Sequence, residues 1–110
     1  METEVNQYDI FWVKLDPIEG SEMAKTRPCV IISPDEMNNY LKTVTIAPLT
    51  TNLKPVYWRV QIFCDGQHGM VALDHIRSVS KSRLGDYVGT LQASEIKNIK
   101  NVIKQMLVDV

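Results

Sequence analysis

Apolar residues come in short β-branched and aromatic runs along most of the chain and at helical spacing only at its end. Residues 8–15, YDIFWVKL, are dense in strand-forming types and predict a first strand. Asp16-Pro17 ends it, and Gly20-Ser21 marks a turn region. Residues 28–33, PCVIIS, predict a second strand whose near-continuous apolar run implies burial on both faces. Pro34-Asp35 breaks the chain, and DEMNNY suits a single helical turn. Residues 43–49, TVTIAPL, alternate and predict a third strand; TTNLKP (50–55) is a loop, and VYWRVQIF (56–63) a fourth strand. CDGQHG is a turn with two glycines, and MVALDHIRSVS (70–80) a short strand pair. SRLGDYVG is ambiguous, with Arg83-Leu84 placed to cap a short turn before a strand.

The segment 94–110 differs in kind. Ile96, Ile99, Val102, Ile103, Met106 and Leu107 fall on one helical face, and Lys97, Lys100 and Lys104 on the other. Ser94 is the expected N-cap, with Glu95 in the first turn. No internal repeat, linker or low-complexity tract interrupts the pattern. Five or more short strands and one closing helix predict a mainly β fold with helices: a small twisted barrel with a C-terminal amphipathic helix.

Composition narrows the class. A length of 110 residues suits one compact domain, expected to span 1–110. With 45% hydrophobic and 23% charged residues the chain has an ordinary globular composition. The formal charge of −1 excludes a general basic coat for nucleic acid, so any such role needs a local patch. Cys29 and Cys64 lie at strand ends with no metal spacing between them, and read as reduced core residues. No apolar run approaches the roughly 18 residues of a membrane helix, and the acidic N-terminus METEVNQYD is no signal peptide, so the cytoplasm is the expected location. His68 and His75 are the only histidines, with no HExxH or CxxC, so no metal site is expected. No GxGxxG, Walker or GxSxG motif is present, so no nucleotide cofactor and no esterase elbow is expected.

The richest stretch is GSEMAKTRPCVIIS, residues 20–33, where a charged run stops at Pro28 and an apolar strand begins. Arg27 is biased toward extended backbone by the proline after it, which sets its planar, permanently charged head at the mouth of the strand. Such a head suits a phosphate. Glu22, five residues earlier, reads either as a salt-bridge partner or as an acid/base group. Ser21 and Lys25 add a hydroxyl and a charge. Thr50 and Thr51, at the end of the third strand, either cap a turn or reach the same phosphate. Phe11, Trp12, Tyr57 and Trp58 sit on predicted strands, where they serve either the core or base stacking. On residue types alone the chain is a small β-rich domain with a possible anion site.

The stretches YDIFWVKLDPIEGSEMAKTRPCVIISPDEMN, TVTIAPLTT and GMVALDHIRSVSKSRL resemble, in order and spacing, the MazF/PemK (Kid) family of toxin endoribonucleases. The resemblance covers nearly the whole chain and implies an SH3-like barrel of the MazF/CcdB type. It also implies a homodimer with an RNA groove spanning both subunits, and metal-independent cleavage of single-stranded RNA by the substrate's own 2′-OH. It carries the family's catalytic positions onto Arg27, Glu22 and Thr50. Around them Ser21, Lys25, Thr51, Lys54, Trp58 and Arg77 are expected to bind substrate, with no cofactor. The implied partner is a MazE-like antitoxin with an acidic, disordered tail, which alone would contact DNA. Two departures stand out: Tyr8 replaces a usual glycine, and His75 replaces the glutamine of the DQIR element, here Asp74-His75-Ile76-Arg77. The alternative is a non-catalytic barrel, either a CcdB-like gyrase-binding toxin or an inactive RNA binder.

Overall fold

The computed structural model describes residues 4–15 and 25–109. Its elements are β1 (Asp9–Leu15), β2 (Lys25–Ile31), α1 (Asp35–Tyr40), β3 (Thr43–Thr50), β4 (Arg59–Cys64), β5 (Gln67–Ala72), β6 (Arg77–Ser80), β7 (Leu84–Thr90) and α2 (Ala93–Leu107), with 3-10 turns at Leu73–His75 and Lys81–Arg83. All pairings are antiparallel, in the order β4-β5-β3-β2-β1-β7, with β6 also alongside β3. The expected mainly β barrel with a C-terminal helix is what the chain forms.

The curl of the sheet originates in β3. Its first half (Thr43–Ile46) pairs with β6, and its last two residues (Leu49, Thr50) pair with β5 on the same edge. Pro48 falls in the gap between these partners, where a missing N–H leaves no ladder bond unmade. Its other edge pairs with Cys29 of β2. Two cores result. One holds Phe11, Val13, Cys29, Ile31, Val44, Ile46 and Val79. The other holds Ile10, Val30, Ala47, Leu49, Val60, Ile62, Val71, Leu73 and Ile99. Because side chains alternate along a strand, β1, β2 and β3 each supply residues to both. This is the two-sided burial that the run PCVIIS predicts: Cys29, Val30 and Ile31 are all fully buried.

The structure corrects several boundaries. The second strand begins at Lys25, three residues before Pro28, because Lys25, Thr26 and Arg27 pair with Leu15, Lys14 and Val13. The fourth strand starts at Arg59, so Tyr57 and Trp58 lie in the turn before it. The turn in CDGQHG is only Asp65-Gly66, with φ of 51° and 81°, which matches a two-residue I′ hairpin; Gln67 to Gly69 are already strand. The cap of α2 is Gln92 rather than Ser94: Gln92 and Glu95 form a reciprocal capping box. Glu95 is buried because its carboxylate accepts from both Gln92 N and Phe63 N, each at 2.8 Å, tying the helix start to β4. Ile96, Ile99, Val102, Ile103 and Met106 pack inward as expected, but Leu107 is exposed. No helix among the described residues is long and apolar enough to cross a membrane.

Tyr8, at the position of the family's glycine, has φ of 72°. Its N–H donates to Ile31 O at 2.7 Å and its carbonyl accepts from Leu91 N at 3.0 Å, so these two bonds hold it in the left-handed region. The departure costs on the order of 1 kcal/mol of backbone strain and leaves the start of β1 in place.

Candidate functional site

The open end of β2, the end of β3 and the β4–β5 hairpin enclose a cavity of ≈ 360 Å³. Lys25, Thr26, Arg27 and Pro28 line it from β2, and Thr50 and Thr51 from the end of β3. Two residues 23 apart in sequence, Arg27 and Thr50, thus share one site because β2 and β3 are antiparallel neighbours. Lys25 enters β2 at φ 71°, a strained value for a side-chain-bearing residue, at the rim of this cavity.

The charge environment follows from burial. Arg27 is half-buried and Cys29, two residues on, fully buried on the same face. Burial pushes the Cys29 thiol up to about 12, against the opposing pull of the positive charges of Arg27 and Arg77. Cys29 is therefore an inert thiol that senses two guanidinium groups. The Thr50 hydroxyl accepts from Asn52 N at 3.2 Å, the turn-capping bond open to its residue type. That bond uses a lone pair of the oxygen, so the hydroxyl hydrogen can still donate to a ligand. Thr50 therefore caps the turn and keeps its hydroxyl hydrogen available at the cavity.

Not every expected residue gathers here. Glu22 and Ser21 lie outside the described residues. Lys54, Trp58 and Arg77 do not line the cavity. Trp58 packs edge-to-face on Tyr57 at 5.1 Å between ring centres. Arg77 lies on β6 opposite Ile46, with its Nη1 buried and without a hydrogen-bond partner among the described residues. Conversely, Trp12, which the sequence leaves open between core and base stacking, lines the cavity together with Cys64, Gln67, His68 and Val88. The Asp-Gly signal before Gln67 was the clue, since a tight hairpin there folds β5 back toward Thr50. Cys64 is half-buried in the cavity wall rather than in the core; burial, then the Asp65 and Glu95 charges, raise its thiol.

The DQIR-like element serves as a brace. Asp74 takes a bidentate pair of hydrogen bonds from Arg59, both 3.1 Å, and lies 3.5 Å from His75 Nε2. Burial raises the Asp74 carboxyl, but the bonds from Arg59 and its charge outweigh this and hold it below the ordinary range. His75, the second departure, thus faces Asp74. Among the described residues no three His, Cys, Asp or Glu side chains gather into a metal-binding group.

Residues 6–107 match the family model described as PemK-like, MazF-like toxin of type II toxin–antitoxin system. The chain is 31% identical over 100 residues to the endoribonuclease toxin MazF of Escherichia coli K12, covering 90% of each protein. Its fold is similar to that of MazF from Deinococcus radiodurans, with TM-score 0.84 and 22% identity over 96% of this chain and 98% of that one. It is also similar to a mycobacterial endoribonuclease solved in complex with its cognate antitoxin, with TM-score 0.79 and 20% identity over 94% of each chain.

Proposed function

The chain belongs to the PemK-like, MazF-like toxins of type II toxin–antitoxin systems, and on that premise we propose how its cavity cuts RNA. The protein is an endoribonuclease toxin acting on single-stranded RNA in the cytoplasm, and 1–110 is one domain. The observation that carries the assignment of the site is the convergence of Arg27 and Thr50, from different strands, on one cavity with Lys25 at its rim.

In this reading the RNA's own 2′-OH attacks the adjacent phosphorus and the bond to the 5′-oxygen breaks. The products are a 2′,3′-cyclic phosphate and a 5′-OH. The nucleophile comes from the substrate, so the chain must remove one proton, deliver one proton and stabilise the phosphorane. Arg27 supplies charge and a planar fork of donors to the equatorial oxygens, and donates, or positions the group that donates, the proton taken up by the leaving 5′-oxygen. Thr50 donates its hydroxyl hydrogen to a non-bridging oxygen. Glu22 is the candidate base, on the segment leading into Lys25. Lys25 and Thr51 hold the flanking backbone, with Ser21 beside Glu22. Arg77, Lys54 and Trp58 lie off the cavity and in this reading contact RNA beyond the cut.

The resemblance further implies a homodimer whose RNA groove crosses both subunits and a MazE-like antitoxin. The charge pattern supports a tail of acidic character: although the chain has net charge −1, its cavity is lined, among the described residues, by Lys25 and Arg27 against the single carboxylate of Asp65, and carboxylates can mimic phosphates there.

A long single-stranded RNA, incubated with purified protein in excess EDTA and mapped at its ends, tests the mechanism. Cleavage to cyclic-phosphate ends is expected, and none when the nucleotide 5′ of the cut is 2′-deoxy. Cleavage of the deoxy substrate at that bond would show that water or an enzyme group attacks instead.

A further inference from the structure

Trp12 is the odd residue of β1. Its neighbours Phe11 and Val13 are fully buried, while Trp12 is 41% exposed. The strands on either side leave it uncovered for separate reasons. On the β2 side its cross-strand neighbour is Pro28. On the β7 side the register slips between Phe11 and Val13: Phe11 pairs with Tyr87 and Val13 with Leu84, so β7 bulges opposite Trp12. Gly85 sits in that bulge, where an added Cβ would lie 3.3 Å from the Trp12 carbonyl oxygen and 3.5 Å from its Cβ. Bulges re-aim side chains beside active sites, and a side chain at Gly85 would press on the Trp12 backbone.

The uncovered indole borders the cavity that holds Arg27 and Thr50. Ile62, Cys64 and Val88 add apolar lining to the cavity beside the polar Asp65, His68 and Gln67, the last being the cross-strand partner of Cys64. The cavity therefore offers apolar surface for a flat ring as well as cationic groups for a phosphate. A single nucleotide combines the two, and ≈ 360 Å³ is near the small end of ligand sites. The Gln67 amide offers both a donor and an acceptor to the edge of such a ring. Of the four aromatics that could stack from sequence, Phe11, Trp12, Tyr57 and Trp58, Trp12 alone lines the cavity.

We propose that Trp12 is the base-stacking residue of the site: one nucleobase flanking the cut lies on the indole inside the cavity, with its edge toward Gln67. The assignment rests on the reading that the substrate is single-stranded RNA. It makes Trp12 a substrate-binding residue rather than a structural one.

The test is a binding cycle. The protein is titrated with an RNA carrying a 2′-deoxy nucleotide 5′ of the cut, and with versions made abasic at each flanking position in turn. The wild type should lose about tenfold in affinity at one abasic position, a typical value for one stacked base. Trp12→Ala should lose about tenfold on the intact RNA and nothing further at that position, while Trp12→Phe should keep most of the affinity. Equal abasic losses in wild type and Trp12→Ala at every position would overturn the proposal. A second readout needs neither cutting nor an alanine variant. In Trp58→Phe protein, the fluorescence of the remaining Trp12 should be quenched by single-stranded RNA and not by a fully abasic strand. No quenching on RNA binding would overturn it as well. Quenching by a protein that cuts no RNA would instead sink the nuclease reading and leave the stacking role standing.

Discussion

The two halves of β2 form a contrast within one strand. Cys29, Val30 and Ile31 are buried without remainder, and each face of this half meets a separate core. Lys25, Thr26, Arg27 and Pro28 are exposed or half-buried and border the cavity. Both halves pair with β1 in continuous register, from Ile10↔Val30 to Leu15↔Lys25. The inner half therefore acts as an anchor for the outer half. A guanidinium on a free loop would lose side-chain and backbone entropy on meeting phosphate. Arg27 has already lost much of it on folding, which is the preorganisation that charge stabilisation requires. Three predictions follow from treating the halves as separable in effect.

The largest effect belongs to the outer half. Arg27→Ala should lower RNA cleavage by two orders of magnitude or more, equivalent to about 3 kcal/mol for one preorganised charge stabiliser. Its melting temperature should stay close to wild type, because Arg27 is only half-buried and lines the cavity. Arg27→Lys should also be poor, since an ammonium lacks the fork. Near-normal cleavage by Arg27→Ala would remove this residue from the site.

The mirror experiment is on the inner half. Ile31→Val removes one buried methylene and should cost about 1 kcal/mol in denaturant unfolding. Cleavage well below the melting transition should be unchanged. A large loss of activity without a loss of stability would mean that the anchor and the working half are not separable.

The smallest effect distinguishes the two thiols without any substitution in β2. In native protein a thiol reagent should label Cys64, which lines the cavity, and spare Cys29. The Cys29 thiol, pushed up to about 12 and fully buried, should react only after unfolding. Raising the pH from 7 to 9 increases the thiolate fraction of an accessible thiol and should speed labelling at Cys64. Cys29 should stay protected over that range because its thiolate forms only near 12. Peptide mapping of the labelled protein reads this directly. Equal labelling of both would show that the inner half opens in the native state.

Much of this architecture was legible in the residues. Alternation along TVTIAPL and the unbroken run of PCVIIS announced strands buried on one or both faces, because a strand's periodicity is a local property. The helical face of Ile96, Ile99, Val102, Ile103 and Met106 was legible for the same reason. The family motifs around Arg27 and Thr50 pointed to the chemistry before any geometry was known. The cap at Gln92 was missed because serine is the stronger cap by residue type. Glu95 overrode that preference by binding the Gln92 N–H and the Phe63 N–H together, and Phe63 is distant in sequence.

Sequence by itself determined most of the elements and their faces, and it singled out candidates for holding a phosphate. Only tertiary structure decided which of them share a cavity. Trp12 and Trp58 are the same residue type, each in an apolar run, and nothing local separates them. Trp12 lines the site because a bulge at Gly85 and a proline at 28 leave it uncovered, while Trp58 falls in a turn against Tyr57. Cys64 and Gln67 reach the wall because Asp65-Gly66 folds β5 back beside the end of β3. These outcomes depend on register between strands far apart in the chain. Register is set by the simultaneous packing of both cores, which no window of neighbouring residues contains.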